Sequence, residues 1–195
     1  MELIEKKISS ELIFDGKIVH LYKDTVELPN GKEATREVIR HVGAVGVIPV
    51  TDNGEVILVK QFRYPFGEVL TEIPAGKLDS KDEDIVEAAK RELREETGVT
   101  AERLFFIGDL YPSCAILDEV IHLFLAEGLS YGDCDPDDDE FLNVVKVPLA
   151  KALTDVLTDK IRDSKTQVAI LKAAMLVRDR KFEEDLEGYA NEAEL

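Results

Sequence analysis

The stretch that decides the fold is GKLDSKDEDIVEAAKRELREETGV, residues 76–99. Apolar residues recur in it at helical spacing, among them Ala89 and Leu93, which predicts an amphipathic helix over residues 84–97. Gly98 follows directly, and a glycine at this place is typical of a left-handed helix cap. The stretch therefore predicts one strongly charged helix with a sharp end.

The charges on this helix are of two kinds. Glu87, Arg91 and Glu95 are spaced four residues apart, which predicts a ladder of salt bridges on an exposed face. Glu92 and Glu96 also lie one turn apart, but no basic residue lies three or four positions from either. Carboxylates placed so beside a buried stripe repel each other, and a divalent cation would relieve the repulsion because Mg²⁺ and Mn²⁺ prefer oxygen ligands. On the residues alone, a metal site and a tolerated surface pair are equally good explanations.

Composition and charge exclude several classes of protein. The chain has 195 residues, 45% of them hydrophobic, which fits one folded domain, and its formal net charge of −17 disfavours nucleic acid as a partner. Cys114 and Cys134 form neither a metal-spaced pair nor a disulfide framework, which is typical of a reducing compartment. The N-terminus MELIEKKISS has no apolar signal core, and no apolar run is long enough to cross a membrane. We therefore expect a cytoplasmic protein with neither nucleic acid nor membrane as a partner.

Strand patterns dominate the chain before the charged helix. Asn30-Gly31 and Asp52-Asn53-Gly54 each lie between strand-like segments, which predicts two hairpins. More strands and two helices are predicted after the charged helix. The predicted strands are 17–28, 32–40, 44–50, 55–62, 69–74, 104–111, 119–127 and 143–147, and the two last helices are 149–158 and 164–178. The pattern indicates an α+β domain that follows an N-terminal β-rich portion.

The second half of the opening stretch is Arg91-Glu92-Leu93-Arg94-Glu95-Glu96-Thr97-Gly98-Val99. It resembles the Nudix box, whose full signature is Gly–x5–Glu–x7–Arg-Glu–apolar–x–Glu-Glu–x–Gly–apolar. Glu83 stands at the position of the signature's first glutamate. Gly76 supplies the leading glycine, but one more residue than usual separates it from Glu83, which we interpret as an insertion in the 79–82 loop. The segments REVIRHVGAVGVIPV, LVKQFRYPFGE, TEIPAGKLD and DEVIHLFLAEGL extend the resemblance to the ADP-ribose pyrophosphatase branch of the Nudix hydrolases.

This resemblance implies a fold, an activity and a partner. The fold is a Nudix α/β/α sandwich with a mixed sheet in an α+β chain. The implied divisions are an N-terminal β portion at 1–40 that packs across a homodimer, a hydrolase domain at 41–180 and a frayed acidic tail at 181–195. The implied reaction is hydrolysis of the diphosphate of ADP-ribose to AMP and ribose 5-phosphate, with about two or three Mg²⁺ ions per site, or Mn²⁺ in their place.

The resemblance also implies roles for residues of the box. The backbone carbonyl of Ala75 and the carboxylates of Glu92 and Glu96 would hold the metals. Glu83 would anchor the loop or bind a metal through water, and Glu95 is either a third ligand or the salt-bridge partner of the basic residue four positions before it. Three residues would have structural roles in the motif: Gly76 as a turn, Arg91 as the residue that orients the glutamates, and Gly98 as the helix cap.

Residues outside the box would bind substrate and supply the base. Arg63, in QFR, would grip the diphosphate, because a guanidinium makes bidentate contacts with phosphate. The general base or an extra metal ligand would come from the acidic run DPDDDE, where Glu140 and Asp138 fit equally well. The stretch that reaches the partner subunit's nucleotide contains Arg36, Glu37 and Arg40.

One departure from the branch concerns the substrate. ADP-ribose hydrolases of this kind usually carry a Ser-Pro-Gly sequence after the box, and here Cys114 stands in the place of the proline. The departure bears on ADP-ribose specifically and not on diphosphate hydrolysis, so another nucleoside diphosphate sugar or a dinucleotide is the alternative substrate. A non-catalytic nucleotide sensor on the same fold is disfavoured, because Glu92, Glu95 and Glu96 are all present.

Overall fold

The computed structural model describes residues 3–135 and 141–178, and these form ten strands and three helices. Within those residues no helix combines the length and the apolar character of a membrane span. The strands are β1 (Lys6–Asp15), β2 (His20–Glu27), β3 (Glu33–Arg40), β4 (Ala44–Pro49), β5 (Glu55–Arg63), β6 (Glu68–Glu72), β7 (Ala75–Lys77), β8 (Val99–Leu110), β9 (Ile121–Tyr131) and β10 (Leu142–Pro148). The helices are α1 (Ile85–Thr97), α2 (Leu149–Leu157) and α3 (Ser164–Arg178).

The N-terminal residues form a separate antiparallel sheet of three strands in the order β1-β2-β3. The hairpin predicted at Asn30-Gly31 is confirmed, because Glu27 pairs with Glu33 and Gly31 has a φ of 77°. Strand β1 was not predicted. All ten of its residues are exposed, so it lacks the alternation of buried and exposed residues by which a strand is recognised in a sequence.

The consecutive strands β4 and β5 belong to different sheets. One sheet has the order β7-β4-β9-β8, in which β4 and β9 are parallel, and the other has the antiparallel order β10-β5-β6. The predicted hairpin at Asp52-Asn53-Gly54 is therefore wrong as a strand pair, although the chain does turn there and an isolated bridge joins Val50 to Val56. Strand β4 is buried along its whole length, so it requires strands on both edges and helices on both faces.

Two apolar cores lie on the two faces of these sheets. Val45 and Val47 of β4 pack with Leu93 of α1 in one core, whereas Ile48 of β4 packs with Ile170 of α3 in the other. Helices thus cover both faces of the β-structure, α1 on one side and α2 with α3 on the other. The predicted α/β/α sandwich with a mixed sheet is confirmed.

Both ends of α1 are capped by the residues that the sequence provides. Asp84 Oδ1 accepts hydrogen bonds from the backbone N–H groups of Val86 and Glu87 at 2.8 and 3.0 Å, a cap typically worth about 1 kcal/mol. Gly98 ends the helix with a φ of 68°, and its N–H donates to the carbonyl of Arg94 at 2.8 Å. The caps fix where α1 begins and ends, and so fix which of its side chains face β7.

Candidate functional site

Two buried carboxylates of α1 meet the backbone of the short strand β7. Glu92 is 8% exposed and Glu96 is 4% exposed. Glu96 Oε2 accepts a hydrogen bond from the backbone N–H of Ala75 at 3.2 Å. The carboxylate of Glu92 lies so close to Gly76 that a Cβ at that position would be 2.1 Å from its Cδ atom. The fold therefore brings both box glutamates to the same two residues of backbone.

Gly76 is required for space rather than for backbone conformation. The turn predicted at this glycine is wrong, because Gly76 lies inside β7 and pairs with Val45 of β4. A Cβ on Gly76 would lie 2.2 and 2.3 Å from the two carboxylate oxygens of Glu92. A strand without a side chain at this point leaves a hollow that the carboxylate of Glu92 fills.

Arg91 gathers three carboxylates of the box. Its Nη1 donates to Glu92 Oε1 at 2.6 Å and to Glu95 Oε2 at 3.4 Å, and its Nη2 donates to Glu83 Oε1 at 3.1 Å. Arg91 thus reaches Glu92 from the position directly before it, a contact that a spacing of three or four residues does not take into account. These contacts agree with a role for Arg91 in orienting the glutamates.

The salt-bridge ladder predicted on the exposed face is only partly formed. Arg91 pairs with Glu95, but Glu87 pairs with Lys90 at 2.7 Å instead of with Arg91. The guanidinium of Arg91 points towards the buried glutamates and the loop before the helix, which takes it out of reach of the exposed face. Glu87 is consequently a surface residue of α1 with no part in the site.

The loop between β7 and α1 accommodates the extra residue of the box. The backbone N–H of Asp79 donates to Glu83 Oε2 at 2.6 Å, and Arg91 binds the same carboxylate. The hydrogen bond from Asp79 and the charge of Arg91 lower the pKa of Glu83, so this carboxylate is ionised at neutral pH. Despite the insertion, Glu83 anchors the loop to the helix.

The residues at this site fit a divalent cation. Two buried carboxylates lie at the start of β7, that of Glu96 at the backbone of Ala75 and that of Glu92 at Gly76, and carboxylate and carbonyl oxygens are the donors that Mg²⁺ prefers. In residues 3–135 and 141–178, no three His, Cys, Asp or Glu side chains converge as a ready cation cluster. The donors at β7 are the carboxylates of Glu92 and Glu96 with the backbone carbonyl of Ala75, and Arg91 holds Glu83 and Glu95 beside them.

Arg63 is held in place by a buried glutamate. Its Nε and Nη2 donate to the two oxygens of Glu72, each at 2.7 Å, and its side chain is 39% exposed whereas that of Glu72 is 2% exposed. The hydrogen bond to Glu72 raises the pKa of Arg63, and the charge of Glu96 adds to the effect. Arg63 is thus held by Glu72 and is affected by the charge of Glu96, and Nη1 is the guanidinium nitrogen that Glu72 does not bind.

Sequence reasoning missed Glu72 and its second partner, Lys165. Lys165 Nζ donates to Glu72 Oε2, and the two residues are 93 positions apart. Burial alone would raise the pKa of Glu72, but the hydrogen bonds and charges of Arg63 and Lys165 outweigh it and hold that pKa below its ordinary value. A glutamate inside the apolar segment VLTEIP was a signal for a buried ion pair, but no local pattern could identify its partners.

The predicted substrate residues of β3 are spread along that strand. Arg36 makes a bidentate contact with Glu5, through Nε at 2.9 Å and Nη2 at 2.5 Å, and Glu37 is exposed. Arg40 Nη2 donates to Asp24 Oδ2 at 3.1 Å. The structure brings none of these three residues into contact with the box glutamates within one chain.

A cationic cavity lies between the N-terminal sheet and β7. Its volume is about 280 Å³, and Lys17, Arg40, Lys77 and Lys81 are among the residues that line it. Lys77 follows Gly76 directly, so the cavity adjoins the backbone that the box glutamates contact. Arg40 is already paired with Asp24, and the three lysines add positive charge around the cavity in this acidic protein.

The two candidates for the general base, Glu140 and Asp138, lie outside the described residues. The described residues that lead to them run beside the C-terminal end of α1. Gly132 N–H donates to the carbonyl of Gly98 at 2.7 Å, and Asp135 N–H donates to the carbonyl of Glu95 at 3.0 Å. The acidic run thus departs from a point next to the box helix.

Comparison with known proteins identifies the family to which the chain belongs. Residues 40–168 match the NUDIX domain, and residues 5–39 match the nucleoside diphosphate sugar hydrolase N-terminal domain. The chain is 49% identical over 170 residues to the ADP-ribose pyrophosphatase of Bacillus subtilis (strain 168), which covers 86% of this chain and 91% of that protein. It is 43% identical over 168 residues to the methanol dehydrogenase activator of Bacillus methanolicus, which covers 85% of this chain and 90% of that protein.

A solved structure described as an ADP compounds hydrolase has the same fold. It superposes with a TM-score of 0.79 at 22% identity, over 91% of this chain and 97% of that one. The chain belongs to the Nudix family and is a Nudix hydrolase. Hydrolases of this family depend on divalent metal ions, which agrees with the oxygen donors gathered at Ala75.

Proposed function

We propose that the chain hydrolyses ADP-ribose to AMP and ribose 5-phosphate with Mg²⁺ as its metal. The observation that carries the proposal is the meeting of the buried Glu92 and Glu96 at Ala75 and Gly76. The similarity over most of the chain to a bacterial ADP-ribose pyrophosphatase supports this substrate. The match of residues 5–39 to a nucleoside diphosphate sugar hydrolase domain supports the wider substrate class.

Glu92, Glu96 and the carbonyl of Ala75 would hold the metal, with about two or three ions per site. When bound, Mg²⁺ polarises a phosphoryl oxygen and lowers the pKa of a water molecule. Arg91 keeps Glu92 in place through the 2.6 Å contact, and Glu83 in turn holds Arg91. Glu95, which binds Arg91, serves either as a further ligand or as part of this support.

The chain's own groups would bind the diphosphate and move the proton. Arg63 would contact the diphosphate with the edge of its guanidinium that Glu72 leaves open. Glu140 or Asp138 would take one proton from the attacking water. The water oxygen joins one phosphorus, and the bond from that phosphorus to the bridging oxygen breaks. The bridging oxygen leaves with the other phosphate, so that the two products are AMP and ribose 5-phosphate.

The N-terminal sheet would bind the nucleotide and a second copy of the chain. Strand β1 exposes Ile8, Leu12 and Phe14, which are 53%, 47% and 57% exposed. A small sheet with an uncovered apolar strand is stable when another surface covers it. In a homodimer, Arg36, Glu37 and Arg40 would reach the nucleotide in the partner's site.

We expect the protein to be a homodimer in solution. Light scattering at micromolar concentration should give twice the 21.8 kDa of one chain, because pairing would cover the apolar residues of β1. Leu12→Glu should shift the equilibrium towards the single chain by placing a charge in that interface, whereas Lys151→Glu on the distant α2 should not. A wild-type mass of one chain would contradict the dimer and the role of Arg36 and Arg40 across it.

ADP-ribose should be the best substrate by kcat/KM among ADP-ribose, nucleotide hexoses and dinucleotides. The measurement is a hydrolysis screen with Mg²⁺ in which the products are identified by chromatography. The presence of Cys114 in place of the usual proline is the reason to test the alternative substrates. Cys114 lines a second cavity of about 350 Å³ together with Tyr111 and Ile116. A preference of about tenfold, or about 1.4 kcal/mol, for a hexose-linked nucleotide would contradict ADP-ribose as the substrate and agree with the departure at Cys114.

We place the protein in the cytoplasm. Both cysteines, Cys114 and Cys134, are exposed and free of disulfides. Exposed thiols persist in reducing compartments, and the proposed nucleotide substrate would be found in the same compartment. Fractionation of the native cells, with an antibody against the chain, tests this location.

A further inference from the structure

A buried ionic network joins the start of α3 to the arginine of the candidate site. Lys165 is 9% exposed, and its Nζ donates to Glu72 Oε2 and, at 3.1 Å, to Asp163 Oδ1. Glu72 is 1% exposed and accepts the bidentate contact from Arg63 on its other side. The network therefore runs from Asp163 through Lys165 and Glu72 to Arg63, and its two cations balance its two anions.

The same segment is bound to the connection between β6 and β7, which leads to the candidate metal site. Thr166 is fully buried, and its Oγ1 accepts a hydrogen bond from the backbone N–H of Ile73 at 2.8 Å. That hydroxyl donates to Asp163 Oδ2 at 2.6 Å, which also accepts from the N–H of Thr166 at 3.0 Å. The position of Lys165 relative to Glu72 is thus set by hydrogen bonds of the buried Thr166 to Ile73 and to the partly buried Asp163.

The network determines which part of Arg63 faces outwards. Glu72 occupies Nε and Nη2, and in the described residues Nη1 makes no hydrogen bond. A buried ion pair is stable only when further hydrogen bonds satisfy the lone pairs that the first partner leaves open. Lys165 binds one oxygen of Glu72 from the protein side, which leaves the carboxylate one orientation in which to receive Arg63.

We propose that Lys165 is a positioning residue for the hydrolysis, acting through Glu72 to orient Arg63 towards the diphosphate. The proposal rests on the proposed function for the identity of the bound group. It extends that function to a residue of α3, in a part of the chain far from the box. A residue that acts in this way should affect the binding of the diphosphate through Arg63 and have no effect once Arg63 is gone.

The test is a double-mutant cycle with Lys165→Met and Arg63→Ala. Each single variant should raise KM about tenfold, equivalent to about 1.4 kcal/mol, with a smaller change in kcat, because binding of the diphosphate is weakened while the box is intact. The double variant should be no worse than Arg63→Ala alone. Lys165→Arg, which keeps the charge, should recover most of the loss.

A matched control is Arg162→Gln, because Arg162 Nη2 bonds Glu68 Oε2 at 2.5 Å and so also ties the start of α3 to β6. It makes no hydrogen bond to Glu72 or Arg63 among the described residues, so KM should stay within about twofold of wild type, a change under about 0.5 kcal/mol. Circular dichroism and thermal unfolding establish that each variant is folded. If Lys165→Met does not fold, Lys165→Gln, whose shorter and neutral side chain removes the charge beside Glu72, takes its place in the cycle.

Binding of α,β-methylene ADP-ribose, measured by calorimetry with Mg²⁺ present, repeats the cycle without turnover. If wild-type protein turns over another nucleoside diphosphate sugar instead, the proposed substrate is wrong and the cycle is run on that compound and its methylene analogue. Effects of Lys165→Met that add fully to those of Arg63→Ala would overturn the positioning role. A loss in Arg162→Gln equal to that in Lys165→Met would do the same, because it would show that tethering α3 is all that matters.

Discussion

Glu96→Gln should lower kcat about a thousandfold, a loss of about 4 kcal/mol in transition-state stabilisation. The physical reason is that Glu96 is one of the two buried carboxylates at Ala75, and the amide is a poor ligand for a divalent cation. The free energy of unfolding without metal should hold or rise by a few tenths of a kcal/mol, because one of two like charges is removed. Steady-state kinetics at saturating Mg²⁺ and thermal unfolding in a chelator measure both.

The control for this substitution is Glu87→Gln on the same helix. Glu87 is exposed and pairs with Lys90 at 2.7 Å, so the same change of charge should cost at most about tenfold, or about 1.4 kcal/mol. Equal losses in the two variants would mean that the overall charge of α1 matters and not a ligand. Full activity of Glu96→Gln would contradict the assignment of Glu96 as a metal ligand.

Gly76→Ala should lower kcat about a hundredfold, because a displacement of the order of 1 Å at a catalytic group has an effect of this size. The new Cβ would lie 2.1 Å from Glu92 Cδ, so the carboxylate must leave the hollow in β7. Overpacking of this kind typically also destabilises the fold by about 1–3 kcal/mol. The measurements are kcat, the affinity for Mn²⁺ followed by electron paramagnetic resonance, and the midpoint of thermal unfolding.

Gly132→Ala is the matched control for the loss of a glycine. Its Cβ would find Gly98 O at 3.6 Å, an ordinary contact, so activity should stay within about twofold of wild type, under about 0.5 kcal/mol. If Gly76→Ala binds Mn²⁺ and turns over substrate like wild type, Glu92 tolerates displacement and its role as a ligand is wrong.

The elements of this fold could be predicted from the sequence where the signal is local. The N-cap Asp84, the apolar stripe of α1 and Gly98 lie within one short stretch, and the helix ends where they indicate. The pairing of strands is not a local property. The Asp52-Asn53-Gly54 turn indicated a hairpin, but burial of β4 on both faces gives β4 and β5 different partners.

The part of the site that lies within the box could be predicted from the sequence. The residue types and spacing pointed to Glu92 and Glu96, and the structure places both at Ala75 and Gly76. The contacts of Arg91 with Glu92 and of Lys165 with Glu72 were not predictable. The first depends on the direction in which a flexible side chain bends, and the second joins residues that only the completed fold brings together.

The separation of β4 from β5 has a consequence for how the chain acquires its structure. Strands β5 and β6 pair with each other, as do β8 and β9, but β4 does not pair with β5. Ala44 must therefore find Ile121, and Glu55 must find Pro148, before the two sheets are complete. Contacts between residues so distant along the chain close large loops, and proteins rich in them fold slowly compared with helical bundles. The box helix can form early from local interactions, but Ala75 and Gly76 reach it only when β7 has docked on β4. Chains that expose the apolar faces of β4 and β5 during this interval are open to aggregation until the sheets close.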